Sequence, residues 1–87
     1  MRQDELPRVV PSNGFVPDEV TAVRIAEAIW LPIYSERVLR QKPFKATLKN
    51  GVWHVKGTLP AWARVGGTAI AEIAKADGRI LRISHGK

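Results

Sequence analysis

Phe44-Lys45-Ala46-Thr47-Leu48-Lys49-Asn50-Gly51-Val52-Trp53-His54-Val55-Lys56-Gly57 spells out a β-hairpin almost residue by residue. Asn-Gly is the strongest two-residue hairpin signal, because both loop positions need a positive φ that these residues adopt cheaply. With Asn50 and Gly51 as the loop, Lys49 faces Val52, Leu48 faces Trp53, Ala46 faces Val55 and Phe44 faces Gly57. Side chains alternate between the faces of a strand. Phe44, Ala46, Leu48, Trp53 and Val55 therefore share one apolar face, and Lys45 across from Lys56 and Thr47 across from His54 make the other.

A second hairpin lies downstream in Ala69-Ile70-Ala71-Glu72-Ile73-Ala74-Lys75-Ala76-Asp77-Gly78-Arg79-Ile80-Leu81-Arg82-Ile83-Ser84-His85. Asp77-Gly78 suits a type I turn closed by a glycine bulge, with Ala76, Asp77 and Gly78 as the loop. That register pairs Ile73 with Leu81, Ala71 with Ile83 and Ala69 with His85 on the apolar face. Glu72 opposite Arg82 and Ile70 opposite Ser84 fall on the wetter one. A sheet with one apolar face needs a cover.

The cover is written upstream. Pro17-Asp18-Glu19 opens a helix, with Asp18 as N-cap and Glu19 near the positive end of the dipole. From Val20 to Leu31 only Thr21, Arg24 and Glu27 are polar, on one stripe, so the helix should be buried over most of its circumference. Pro32 should kink or restart it, giving a short second piece from Ile33 to about Gln41. Pro43 disfavours helix at Lys42 and starts the first strand. The expected class is α+β: a helix kinked at Pro32, packed on four antiparallel strands.

Composition bounds the function. A chain of 87 residues allows one domain with one modest core. A hydrophobic content of 45% is that of a folded chain. Without cysteine there is neither a disulfide framework nor a thiol site. The longest apolar stretch is interrupted by Arg24, Glu27 and Pro32, so no membrane-spanning segment is expected. Residues 1–13 read as a loose N-terminal arm and 14–87 as the domain. The N-terminus lacks an apolar h-region, so the expected location is the cytoplasm, or the periplasm if a signal peptide has been cleaved from the chain.

The net charge of +6 suits an acidic partner or a nucleic-acid backbone, or serves solubility alone. Lys45, Lys49 and Lys56 share the outward sheet face, where Lys45 opposite Lys56 is locally unfavourable. Such a pair either protects an edge against aggregation or prepares a surface for an anion. No RNA-recognition aromatic pair, helix-turn-helix pattern or arginine stripe accompanies the lysines, which disfavours nucleic acid.

The residues offer no reaction, no metal site and no cofactor site. The two histidines lack metal-ligand spacing. His85, on the inner face beside Ala69, reads as a hydrogen-bonded structural histidine, while outward-facing His54 is an interface residue or nothing. Ser12, Ser35 and Ser84 have no nucleophile-elbow context. Glu27 and Glu72 have plainer work on the helix stripe and opposite Arg82. Between the hairpins, Trp62 and Arg64 sit in Pro60-Ala61-Trp62-Ala63-Arg64-Val65-Gly66-Gly67 without strand alternation to bury them. Tryptophan beside arginine on a loop has the composition of a binding hot spot. The other reading is that Trp62 folds back to plug the open end of the sheet.

The run from Val16-Pro17-Asp18-Glu19 to Ala28-Ile29-Trp30-Leu31-Pro32-Ile33-Tyr34 begins a wider resemblance. Pro43 to Ala46, Leu48 to Trp53, Val55 to Pro60, Gly66-Gly67, Lys75, Asp77 to Leu81 and His85-Gly86-Lys87 continue it. The chain resembles small bacterial immunity proteins with a nuclear-transport-factor-two-like (cystatin-like) fold, found beside polymorphic toxins in interbacterial competition. The resemblance covers about residues 14 to 87. It implies a curved sheet wrapped on helices and a non-catalytic role: binding one cognate toxin and silencing it by occlusion. Most of the shared residues are turn and core residues, so the contact surface is not carried over position by position. The candidates for it are Trp62, Arg64, Lys45, Lys49, His54 and Lys56, facing an acidic patch on the toxin, and the exposed sheet also admits a dimer. A small-molecule site or enzyme in the cone of the same scaffold, and a basic nucleic-acid adaptor, are the alternatives.

Overall fold

Asp18 starts the helix as the sequence expects. In the computed structural model, which describes residues 11–60 and 67–86, its Oδ1 accepts from the Thr21 backbone N–H at 2.8 Å and from the Thr21 hydroxyl at 2.6 Å. The helix, α1, spans Glu19–Tyr34 and a 3-10 helix follows over Ser35–Gln41. Four strands follow: β1 (Lys45–Lys49), β2 (Val52–Lys56), β3 (Thr68–Ala74) and β4 (Ile80–Gly86). They form one antiparallel sheet in the order β1-β2-β3-β4. The α+β architecture, one helix laid on a four-stranded sheet, is the one the sequence implies.

Pro32 does not divide the helix where the sequence suggests. α1 runs through it to Tyr34, and the second piece begins at Ser35 rather than Ile33. The proline removes the bond its missing N–H would have made to the Ala28 carbonyl, and only two residues of helix follow it. The turn is closed beyond it by the Ser35 N–H, which reaches the Leu31 carbonyl with Ser35 at φ 64°.

The helix is also less enclosed than its composition suggests. Ala22, Ala26 and Trp30, spaced by one turn, are the fully buried line. Val20 and Ile33 are 59% and 56% exposed, because the sheet covers one side of α1 only. Trp30 is the anchor of that side. Its ring meets Phe44 edge-on at 5.0 Å, and its Nε1 donates to the Ile70 carbonyl at 3.3 Å.

The first hairpin has the expected register at every pair from Lys49↔Val52 to Lys45↔Lys56. Asn50 and Gly51 both have positive φ, 52° and 76°. Trp53 and Val55 are buried, but Leu48 is 44% exposed. Leu48 keeps its place opposite Trp53 but lies on the edge strand, where its outer flank has no neighbouring strand. Trp53 is sealed instead by the segment ahead of the helix, its Nε1 donating to the Val16 carbonyl at 2.8 Å.

The second hairpin keeps the expected pairs from Glu72↔Arg82 to Ala69↔His85, but Ile73 pairs with Ile80 rather than Leu81. At this tip the Lys75 N–H donates to the Gly51 carbonyl, and the Lys75 carbonyl accepts from the Val16 N–H. The Ala74 N–H takes the Arg79 carbonyl and the Ala74 carbonyl takes the Gly78 N–H. The loop therefore widens by one residue, and the surplus is absorbed as an irregularity beside Ile73. Just upstream, the Gly14 N–H donates to the Pro11 carbonyl, so residues 11–14, partly within the expected arm, close a turn.

Candidate binding face of the sheet

The face of the sheet turned away from α1 is set by strand alternation. Ala46, Trp53, Val55, Ala69, Ala71 and Ile73 point to the helix side, so Lys45, Thr47, Lys49, His54, Lys56, Glu72 and Arg82 point away from it. The strand pairings lay these residues out in rows. One row runs Thr47, His54, Glu72, Arg82 across all four strands, and the next runs Lys45, Lys56, Ile70, Ser84. Lys49 begins a third with Val52 and Ala74.

Charge is distributed unevenly over the rows. Glu72 is the one acid that the described strands place on this face, and its Oε2 is approached by both Arg82 and His54. Arg82 Nη1 lies 3.4 Å from it and His54 Nδ1 3.8 Å. Lys45 and Lys56 stand opposite each other and are exposed, as is Lys49. Close like charges repel at a strand pair, so a bound anion between them would relieve a real penalty.

The structure brings Lys45, Lys49, His54 and Lys56 onto one face. Trp62 and Arg64 lie outside the described residues. The sequence reading missed the His54–Glu72 contact, because it depends on how β2 lies against β3. Those strands are joined by a long connection carrying no turn signal that fixes register. The available signal was parity alone: both residues alternate to the outer face.

His85 takes its expected place opposite Ala69, but its ring is exposed rather than enclosed. It packs edge-on against Tyr34 at 5.4 Å, and its Nε2 lies 3.1 Å from Gln41 Nε2. Gln41 Oε1 accepts the Ala69 N–H at 2.8 Å, so its amide nitrogen is the group turned to His85 and the ring accepts through Nε2. The Gln41 carbonyl also takes the Thr58 N–H at 2.7 Å. This side chain thus fastens the 3-10 helix to β3 and β4 and carries a structural role.

On the opposite side, α1 and the start of β1 bound an open groove of about 370 Å³ between Val20, Val23, Glu27, Lys42, Pro43 and Phe44. Among the described residues no group of His, Asp and Glu is placed to hold a metal ion, and no helix is long and apolar enough to cross a membrane.

Comparison with known proteins agrees with this architecture. No solved structure matches the chain. The uncharacterized protein YhhH of Escherichia coli (strain K12) is 33% identical over the whole of this chain and 69% of its own length. The family model described as NTF2 fold immunity protein matches residues 21–87, from the first turn of α1 through β4. This chain belongs to the NTF2 fold immunity protein family.

Proposed function

We propose that this protein neutralises one cognate toxin by laying the lysine-bearing face of its sheet against an acidic patch, blocking the toxin's working surface without catalysing anything. The observation that carries the reading is the opposition of Lys45 and Lys56 on an exposed face whose one described acid is already engaged by Arg82 and His54. A folded domain tolerates such a pair at some cost, and a partner carboxylate between the two ammonium groups converts the cost into binding. Family membership supports an immunity role and a toxin partner in general. Trp62 and Arg64 supply a second candidate contact, on sequence grounds.

The test is association kinetics with the cognate toxin. Lys45→Glu with Lys56→Glu should slow association by about tenfold or more and weaken its dependence on salt, with an unchanged circular dichroism spectrum. An association rate and salt slope equal to wild type would overturn the assignment of this face. Chemical turnover of the toxin by the purified protein would overturn occlusion.

A further inference from the structure

The sheet has two edges, and they are finished differently. The backbone hydrogen bonds fix which groups point outward. Gly57 N–H donates to the Ala69 carbonyl, so the odd-numbered residues of β3 face β2, while Ala74 N–H donates toward β4. Ile70, Glu72 and Ala74 therefore face β4, and their partners Ser84 and Arg82 face back. That leaves the N–H and C=O groups of Ile83 and His85 aimed away from the sheet, with Leu81 as the surplus residue of the irregularity beside Ile73. On β1 the same alternation aims Ala46 outward, but there Glu19 Oε2 accepts the Ala46 N–H at 3.4 Å, and exposed Lys45 and Lys49 flank it. Lysines and a carboxylate cap are the usual devices that blunt an edge. Among the described residues β4 has neither. Ile80 and Leu81 are 37% and 44% exposed, Ile83 is half-buried, and Arg82, its one charged residue, is held by Glu72.

We propose that β4 is a self-association edge, pairing antiparallel with β4 of a second copy about a two-fold axis at Ile83, so that one sheet runs through both molecules. The pattern is self-complementary in that register. Ile83 meets its own equivalent, Leu81 meets the second copy's His85, and Arg82 meets the second copy's Ser84. Ile83, with outward backbone groups, then finds its own equivalent, and both hydrogen bonds of that pair can form. No direct pair places two cations together. Exposed Leu81 gains the flank of a histidine ring. Shifting the axis to Arg82 would set two arginines opposite one another, and shifting it to Ser84 would place Leu81 beyond the end of the second copy's β4 at Gly86. The lysine face stays open in this arrangement, so the proposal stands independently of the toxin reading. An edge contact buries less than a standard interface of about 1,600 Å², so the association should be weak and concentration-dependent.

The experiment is amide hydrogen exchange on the full chain, with mass by sedimentation equilibrium, from dilute to concentrated solution. The Ile83 and His85 amides should exchange quickly when dilute and at least about tenfold more slowly at concentrations where the mass doubles. The Ser84 amide, bonded to β3, should be protected throughout. Ile83→Pro deletes only an outward N–H and should hold the chain monomeric; Leu81→Lys, at an exposed site, provides a second monomerising variant if the proline unfolds the strand. A monomer mass with fast exchange at every concentration overturns the proposal. So does a dimer in which the Ile83 amide stays fast, or protection that is independent of concentration or arises only with toxin present.

Discussion

Trp53 shows what one side chain does when a small core must be closed at its end. Its ring is 8% exposed, opposite Leu48 on the sheet, and its Nε1 is satisfied by the Val16 carbonyl. Trp53→Ala leaves both a cavity and an orphaned carbonyl, and should cost about 3 to 5 kcal/mol. Against a total stability of about 5 to 15 kcal/mol that is a large fall in melting temperature, or no fold. An unchanged melting temperature would contradict the seal. Asp18 makes the complementary prediction for charge. The Thr21 hydroxyl first, and its backbone N–H second, hold the Asp18 carboxyl below its usual range, and Arg24 adds to the effect. A depressed folded-state value means the contribution is complete above the ordinary carboxylate pKa of about 3.9 and is lost as pH falls through the lower folded value. Asp18→Ala should therefore lower the melting temperature at neutral pH, and the difference from wild type should narrow as the pH falls below that ordinary value.

The two hairpins read differently from sequence, and the reason is where their bonds go. Asn50-Gly51 fixes its hairpin locally, so every pair back to Lys45↔Lys56 follows from the loop. Ala76-Asp77-Gly78 has the right turn chemistry, but the loop closes through Ala74, which bonds both Arg79 and Gly78, and the turn residues alone do not specify that extra residue. The lysine face was legible because it needs only parity. The His54–Glu72–Arg82 row was not, because half of it rests on β2 against β3. Glycines separate local from remote constraint in the same way. Gly51, at φ 76°, has nothing within 4 Å of an added Cβ, so Gly51→Ala should cost only backbone strain, about 1 kcal/mol. A Cβ at Gly57 would stand 2.4 Å from Gln41 Oε1, so Gly57→Ala must displace the side chain that fastens Ala69 and His85. It should cost about 1 to 3 kcal/mol, measured by denaturant unfolding, and more than Gly51→Ala. Equal losses at the two glycines would refute the fastening role of Gln41.

At the scale of the whole molecule, folding and binding residues are largely separate sets. The buried line of α1 and the inner sheet face make the core, and the lysines of β1 and β2 lie on the other side of the same strands. Substitution on the outer face should therefore move affinity without moving stability. Trp62→Ala with Arg64→Ala tests the second candidate contact on the same footing. If Trp62 is an interfacial anchor worth 2 kcal/mol or more, toxin affinity should fall by roughly thirtyfold while the melting temperature holds. Full protection of cells by this variant would leave the lysine face as the contact, and unfolding would identify Trp62 as a core plug.

The bonds around Lys75 also carry a kinetic meaning. The hairpin tips and the chain ahead of α1 converge there, and that last partner arrives from the far end of the sequence. Hairpins close in microseconds, whereas a contact between distant segments pays its closure entropy late. If docking of residues 14–16 on Lys75 and Ala76 follows the folding barrier, its loss should act on escape from the native state. An added Cβ at Gly14, already at φ 82°, would stand 2.5 Å from the Lys75 carbonyl oxygen. Gly14→Ala should accordingly steepen the unfolding rate while leaving the refolding rate near wild type. The lifetime of the folded protein would then be set at this clasp, while its speed of formation is set in the hairpins.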